Sequence, residues 1–315
     1  MSAFVFVLPT WPTDMWKAAM KKEAPDLDVC VWPNNMGNIE DIKYAAAWLP
    51  PANVMKSFPN LKLICSLGAG VDALLSDPTL PKDVPIVRVN DPDLTNRMSE
   101  YIVLQVLMHH RQQRRLDANQ KNKIWDSFAT HAASALTIGI MGMGVMGADA
   151  ATKLAMMGFK VWGWSRTRKS IEGVESFAGN ELDEFLSGTD ILISLLPATP
   201  ETDGIINRSL IQKLSRNGPF GAPIFINAGR GRQQVEDDLL TCLNNGELYA
   251  ATLDVFSKEP LPTTSPLWSH VNVTLTPHAA ADSDPETICR YVHHQIQKFE
   301  RGEKIENLVD RVQGY

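Results

Sequence analysis

The segment Leu136-Thr-Ile-Gly-Ile-Met141 runs directly into Gly142-Met-Gly144-Val-Met-Gly147 and then into Ala148-Asp-Ala-Ala-Thr-Lys-Leu-Ala-Met-Met157. An apolar run, three glycines in G-x-G-x-x-G spacing and a helix-forming run in immediate succession predict strand, tight turn and helix. That is the setting in which this glycine pattern holds a dinucleotide. Gly142 permits the turn, Gly144 lets the backbone approach a pyrophosphate, and Gly147 lets the helix lie close on the strand. The amides of Val145 and Met146 open the helix facing the phosphates, where the helix dipole favours negative charge.

The next predicted strand tells which dinucleotide. It ends in Lys160-Val-Trp-Gly-Trp-Ser165-Arg166-Thr167-Arg168, about eighteen residues beyond Gly147, where an NAD site would place an acid. No carboxylate stands in that run. Ser165, Arg166 and Thr167 suit the extra 2′-phosphate of NADPH through charge-assisted hydrogen bonds, with Arg168 in reserve. NADPH is therefore expected in preference to NADH.

On the amino-terminal side, β-rich runs at Phe4 to Leu8, Val29 to Trp32, Ala45 to Leu49, Leu61 to Ser66 and Ile86 to Val89 alternate with helix-length segments, which predicts βαβ units. From Leu94 to Gln120, apolar residues such as Met98, Tyr101, Ile102, Leu107 and Met108 recur at helical spacing and predict one long helix, basic at Arg111, Arg114 and Arg115. The Trp125-bearing stretch up to Ala135 reads as a connector or interface. Around the glycine loop, runs at Leu136 to Met141, Phe159 to Trp164, Asp190 to Leu195, Pro223 to Asn227, Ala250 to Asp254 and Val271 to Leu275 form a second set of strands. After His278, apolar spacing from Ile288 to Phe299 predicts a final helix of about 17 residues, stopped by Gly302 and packing back on the amino-terminal half. The expected fold is α/β, with two doubly wound, Rossmann-like parallel sheets and an interdomain cleft. Residues 101–282 form the NADP-binding domain in this reading. Residues 1–100 plus 283–315 form a discontinuous, flavodoxin-like substrate domain.

Composition removes other classes. The 315 residues suffice for about two domains. Thirty basic against thirty-six acidic residues give net −6 with the basic ones scattered, which speaks against a nucleic-acid partner. No apolar run approaches the roughly 18 residues of a membrane span, and the amino terminus reads as a strand rather than a secretion signal. Cys30, Cys65, Cys242 and Cys289 are too far apart for a zinc cage or a disulfide framework. They read as reduced, buried thiols of a cytoplasmic protein, and no metal is expected.

Three further segments end strands of the second set: Asn227-Ala-Gly229-Arg230-Gly231, Asp254-Val-Phe-Ser-Lys-Glu259-Pro260, and Thr276-Pro277-His278. Ligands of open α/β sheets bind at that edge. Arg230, between glycines where the backbone can bend, could grip the carboxylate of a 2-oxo acid through its planar fork. In isolation it would read as a surface arginine. His278 could deliver a proton to a carbonyl oxygen, and a glutamate hydrogen-bonded to it, Glu259, would stabilise its protonated form. His109, His110, His131, His270, His293 and His294 read as surface or helix-face residues.

The glycine loop and these three motifs, in this order and spacing, resemble the D-isomer-specific 2-hydroxyacid dehydrogenases over nearly the whole chain. Within that family, Leu67-Gly-Ala-Gly70-Val-Asp72, Met98-Ser-Glu-Tyr101, His110-Arg111 and the Ser165-Arg166 loop look most like the short, NADPH-dependent bacterial glyoxylate/hydroxypyruvate reductases. The resemblance implies reduction of a small 2-oxo acid, with Arg230 on its carbonyl and carboxylate, His278 as proton donor and Glu259 holding that histidine. It implies Asp254 at the nicotinamide carboxamide, with Pro197 and Ala228 as further cofactor contacts. Leu67, Gly68, Ala69 and Gly70 resemble the loop whose main-chain N–H groups nest the substrate carboxylate, and Trp48 falls where relatives set an aromatic against a small substrate. The long helix and the Trp125 region match the segment through which family members form homodimers. Gln233-Gln234 and Glu236-Asp237-Asp238 depart from family habit and are expected to leave the triad undisturbed. Two other readings remain: a D-2-hydroxyacid dehydrogenase for a larger 2-oxo acid or phosphoglycerate, and a non-catalytic, dinucleotide-sensing protein like the corepressors that share the fold.

Overall fold

Apolar runs such as Ala3-Phe-Val-Phe-Val7 and Ile191-Leu-Ile-Ser194 are buried along their whole length, the signature of strands covered on both faces. The computed structural model describes residues 3–314. It divides into two units, one running to Leu94 and resuming at Asp282, the other Thr95–Ala281.

The first unit contains β1 (Ala3–Val7), α1 (Thr13–Glu23), β2 (Asp28–Val31), β3 (Ile42–Ala47), β4 (Leu63–Ser66), α2 (Asp72–Leu75) and β5 (Ile86–Arg88). Its sheet is parallel in the order β2-β1-β3-β4-β5, which is the flavodoxin-like winding.

The division falls in the first turn of α3 (Pro92–His110), which is followed by α4 (Gln113–Lys121) and β6 (Thr137–Met141). Then come α5 (Val145–Met156), β7 (Lys160–Trp164), β8 (Val174–Phe177), α6 (Leu182–Ser187), β9 (Ile191–Ser194) and α7 (Arg208–Ile211). The unit ends with β10 (Ile224–Asn227), α8 (Glu236–Asn244), β11 (Ala250–Leu253) and β12 (Val273–Leu275). Its parallel sheet runs β12-β11-β10-β9-β6-β7-β8, so the winding reverses between β6 and β9. Back in the first unit, α9 (Pro285–Glu300) is capped by the Asp284 carboxylate on the Thr287 N–H (2.8 Å) and followed by Gly302 at φ +67. It lies along α1, with Lys22 paired to Glu286.

The structure departs from the sequence reading in three places. The expected single helix from Leu94 to Gln120 is two, broken where Gln112 takes φ +53. No glycine or proline marks the break. A tertiary anchor accompanies it: the Arg114 guanidinium reaches the Thr274 hydroxyl and the Ala251 carbonyl on the sheet. The edge strand β8 was not foreseen, because its four residues pair on one side only and read as polar. Finally, His109 and His110 are buried rather than at the surface. The His109 ring bonds the Thr252 hydroxyl (2.9 Å), and burial with the nearby Arg114 charge pushes it down to about 3. It therefore stays neutral and donates no proton to a substrate.

Candidate active site

The glycine loop leaves β6 at the point where the strand order reverses, the usual ligand position in such sheets. Gly142 has φ +103, and a Cβ there would stand 2.5 Å from the Leu195 carbonyl oxygen. A Cβ on Gly147 would stand 2.0 Å from the Gly142 carbonyl oxygen, so α5 approaches its strand only over a glycine. Gly144 is different. Its backbone (φ −74, ψ −165) suits any residue, and a Cβ would meet nothing within 4 Å. Glycine preserves open space there, beside the first amides of α5 at Val145 and Met146, and the space fits a pyrophosphate.

At the end of β7 the Ser165 hydroxyl donates to the Thr167 carbonyl (2.8 Å). Arg168, exposed, is bonded within the turn to Glu181 and the Ser176 carbonyl. Arg166 and Thr167 are exposed. The sequence places no carboxylate in this loop, but the fold brings Glu201 within electrostatic reach of Arg166. The Glu201 carboxyl lies below its ordinary value, chiefly through a hydrogen bond with Thr199 and to a smaller extent through Arg166.

The segments after β9, β10, β11 and β12 carry the other site residues of this unit. His278 takes φ +54, an uncommon conformation outside glycine. Its own N–H donates to the Asp254 carbonyl (2.8 Å), and the Asp254 carboxylate accepts from Thr276 Oγ1 (2.5 Å) and from the N–H groups of Ala279 (2.9 Å) and Ala280 (3.1 Å). One buried carboxylate thus pins the chain on both sides of the histidine. Thr276 Oγ1 is also bonded to the Tyr101 hydroxyl (2.8 Å). A carboxylate has roughly four acceptor positions, and these three bonds leave Asp254 one.

His278 Nδ1 lies 2.7 Å from Glu259 Oε2, while Glu259 Oε1 accepts the Phe256 N–H (2.9 Å). Burial works to raise the Glu259 carboxyl. The hydrogen bonds from His278 and Phe256 and the charges of His278 and Arg230 outweigh it and hold the group below its ordinary value. Arg230 Nη1 donates to the Gly229 carbonyl (2.9 Å), which orients the guanidinium. Neither flanking glycine is needed for its backbone angles. A Cβ on Gly231 would stand 1.9 Å from the Phe256 carbonyl carbon and one on Gly229 2.7 Å from Gln233 Oε1, so close packing explains both. Arg230, Glu259 and His278 share one neighbourhood, with Ala228 buried at the root of the arginine loop and Pro197 half-buried after β9.

In the first unit, the loop after β4 carries Leu67, Gly68, Ala69 and Gly70. The Ser66 hydroxyl lies 3.0 Å from the carbonyls of both Gly68 and Gly70, drawing them inward. Trp48 is packed so closely on this loop that a Cβ on Gly68 would stand 2.2 Å from Trp48 Cζ3. Trp11 is a further neighbour, stacked at 5.1 Å and itself stacked on Trp16 at 5.3 Å. Sequence reading singled out neither Trp11 nor Ser66, and treated Gln233 and Gln234 as bystanders. Their only signal was residue type: an aromatic, a hydroxyl or an amide.

All four cysteines are buried, and burial pushes the Cys65, Cys242 and Cys289 thiols up to about 12, so none of these three is a nucleophile. Among the described residues no three His, Cys, Asp or Glu side chains gather as metal ligands, and no helix is long and apolar enough to cross a membrane.

Residues 103–280 match the profile of the D-isomer specific 2-hydroxyacid dehydrogenase, NAD binding domain. The chain belongs to that family. Over 99% of both chains it is 42% identical to glyoxylate/hydroxypyruvate reductase A of Yersinia enterocolitica. Among solved structures it is similar to the NADPH-dependent glyoxylate/hydroxypyruvate reductase of Sinorhizobium meliloti in complex with NADP and sulfate, at 47% identity, TM-score 0.96 and complete coverage of both chains. It is also similar to a probable 2-hydroxyacid dehydrogenase of Rhizobium etli in complex with NADP, HEPES and L(+)-tartaric acid, at 45% identity, TM-score 0.92 and complete coverage of both.

Proposed function

We propose that the protein reduces small 2-oxo acids, glyoxylate to glycolate and hydroxypyruvate to D-glycerate, with NADPH as reductant. The observation that carries this reading is the 2.7 Å bond between His278 Nδ1 and Glu259 Oε2, at the edge of the sheet that also bears the glycine loop. The full-length likeness to reductases named for glyoxylate and hydroxypyruvate supports the substrate class, and the NADP-bound relatives support the cofactor.

Reduced nicotinamide, when bound, supplies a hydride to the 2-carbon of the acid. Gly142, Gly144 and Gly147, with the amides of Val145 and Met146, would hold the pyrophosphate. Ser165, Arg166 and Thr167 would hold the 2′-phosphate. Pro197 and Ala228 would line the nicotinamide half, and Asp254 would offer its remaining acceptor position to the carboxamide. His278 works in its protonated form: Nδ1–H stays on Glu259, and Nε2–H passes to the oxygen that becomes the hydroxyl. Glu259, held ionised, stabilises the imidazolium without taking a proton itself. Arg230 supports the negative charge that develops on the substrate oxygen and pairs with the carboxylate. In the first unit, the Leu67–Gly70 main chain would take the carboxylate, and Trp48 would limit acceptor size. The second unit is then the cofactor domain and the first the substrate domain. Trp125 is 99% exposed, with Ile124 and Leu116 also exposed nearby in sequence, which suits burial in a homodimer. The free thiols suit the reducing cytoplasm.

Oxidation of NADPH and of NADH, followed by the absorbance of the reduced nicotinamide, is to be measured with glyoxylate, hydroxypyruvate, pyruvate and phenylpyruvate. Fastest turnover is expected for NADPH with the two smallest polar acids. Preference for phenylpyruvate or for NADH would refute the substrate or cofactor assignment, and tight NADPH binding without turnover would point to a sensor.

A further inference from the structure

Gln233 and Gln234, which follow the Arg230 loop, are 0% and 4% exposed, yet every end of both amides is engaged. Gln233 Oε1 accepts from the Ser194 hydroxyl (2.8 Å) and from the Arg230 N–H (3.3 Å), and its Nε2 donates to the carbonyls of Leu196 (2.6 Å) and Pro197 (3.2 Å). Gln234 Oε1 accepts from Asn227 Nδ2 (2.9 Å), and its Nε2 donates to the Val255 carbonyl (2.9 Å). Asn227 extends the chain of bonds: Nδ2 also donates to the Arg230 carbonyl (3.2 Å), and Oδ1 accepts the Gly229 N–H (3.0 Å). The N–H and the C=O of Arg230 are therefore each held by a buried amide. The same two glutamines tie that residue to the segment after β9 and the segment after β11.

We infer that Gln233 and Gln234 are positioning residues for Arg230, fixing the base of its guanidinium fork against the two segments that flank it. An apolar side chain of equal volume at 233 would fill the same space but could not accept the Arg230 N–H, while the Arg230 carbonyl would keep the main-chain N–H of residue 233 (3.2 Å). A fully satisfied buried network, in contrast, rigidifies what it touches. The inference rests on the proposed role of Arg230 toward the substrate. Glutamine at 233 accepts and donates at once, which the two sides of its site require: an N–H and a hydroxyl on one, two carbonyls on the other.

The test is a double-mutant cycle on the full-length enzyme, with Gln233→Met, Arg230→Lys and the pair together. The quantities are kcat and KM for glyoxylate at saturating NADPH, the pH profile of kcat/KM, and the thermal midpoint to establish the folded fraction. Gln233→Met is expected to lower kcat/KM for glyoxylate about tenfold or more, chiefly through KM, while adding less than about twofold in the Arg230→Lys background. The pH profile should keep its shape, because the His278–Glu259 pair is untouched. Equal losses in both backgrounds, or an unchanged KM in folded Gln233→Met, would overturn the inference. If Arg230→Lys itself left the kinetics unaltered, the assignment of Arg230 would fail first, and the inference with it. Should Gln233→Met not accumulate as folded protein, Gln234→Met, which releases the Asn227 amide and the Val255 carbonyl, carries the same cycle.

Discussion

Gly144→Ala separates the two reasons for which a dinucleotide loop contains glycine. Gly144 adopts a conformation that alanine takes without strain, and the added methyl would meet no protein atom within 4 Å. Alanine restricts the unfolded chain, a gain of about 0.4–1 kcal/mol. As the residue preceding α5 it caps less well than glycine, a loss of roughly 0.5–1 kcal/mol. The two nearly cancel, and the remainder, at most about 0.6 kcal/mol, corresponds to roughly 1–2 °C in Tm for a domain of this size. The cofactor, however, must bring its pyrophosphate into the space the methyl would fill. Losing one charge-assisted backbone contact, about 1.5–3 kcal/mol, raises the Kd for NADPH roughly 10- to 100-fold. Gly147→Ala is the control. Its methyl would lie 2.0 Å from a main-chain oxygen, and overpacking of that kind costs about 1–3 kcal/mol or more. The assay is the thermal midpoint without cofactor, together with NADPH titration followed by fluorescence. The reasoning is refuted if Gly144→Ala binds NADPH as the wild type does, or melts as early as Gly147→Ala.

His278→Gln should lower kcat for glyoxylate reduction about 10²- to 10⁴-fold while leaving the Kd for NADPH within about twofold, and a loss below tenfold would remove His278 as the proton donor. Because Glu259 is held below its ordinary carboxyl value of 4.5, its contribution to stability is complete above that value and is lost as pH falls through the lower folded value. The Tm difference between wild type and Glu259→Gln should accordingly be constant at neutral pH and shrink only in acid; a difference that grows in acid would contradict the sign. Arg166→Ala is expected to raise KM for NADPH roughly 10- to 100-fold with KM for NADH almost unchanged, equal losses for both cofactors being the contrary result. Trp11→Ala frees one face of Trp48 and should raise kcat/KM for phenylpyruvate relative to glyoxylate. An unchanged ratio would mean that the stacked rings do not set acceptor size.

Much of the site is legible in the chain because its chemistry is local. G-x-G-x-x-G between an apolar run and a helix-forming run states its own geometry, and the structure adds only why each glycine is needed: turn and contact at Gly142, contact at Gly147, space at Gly144. The same reasoning misjudged the glycines around Arg230. They look like hinges in the sequence and turn out to be clearances, since what crowds them is the backbone of Phe256 and the side chain of Gln233. The acid-free loop at Ser165 was correct as a local statement. Glu201, more than thirty positions later, still brings its charge to Arg166, because the segment after β9 folds back to the same edge.

What the sequence by itself determined is the order and kind of elements and the inventory of reactive side chains, since backbone sterics, burial period and turn chemistry act between residues a few positions apart. It could not show the break at Gln112, which no local breaker accompanies, nor the burial that keeps His109 neutral. Nor could it reveal that Gln233 would hold the Arg230 N–H, with Gln234 holding the Asn227 amide that bonds the Arg230 carbonyl. Those outcomes depend on which groups meet once two sheets have wound and expelled water. A buried polar group takes whatever partner the packing leaves within hydrogen-bond distance, and only the tertiary structure supplies that distance.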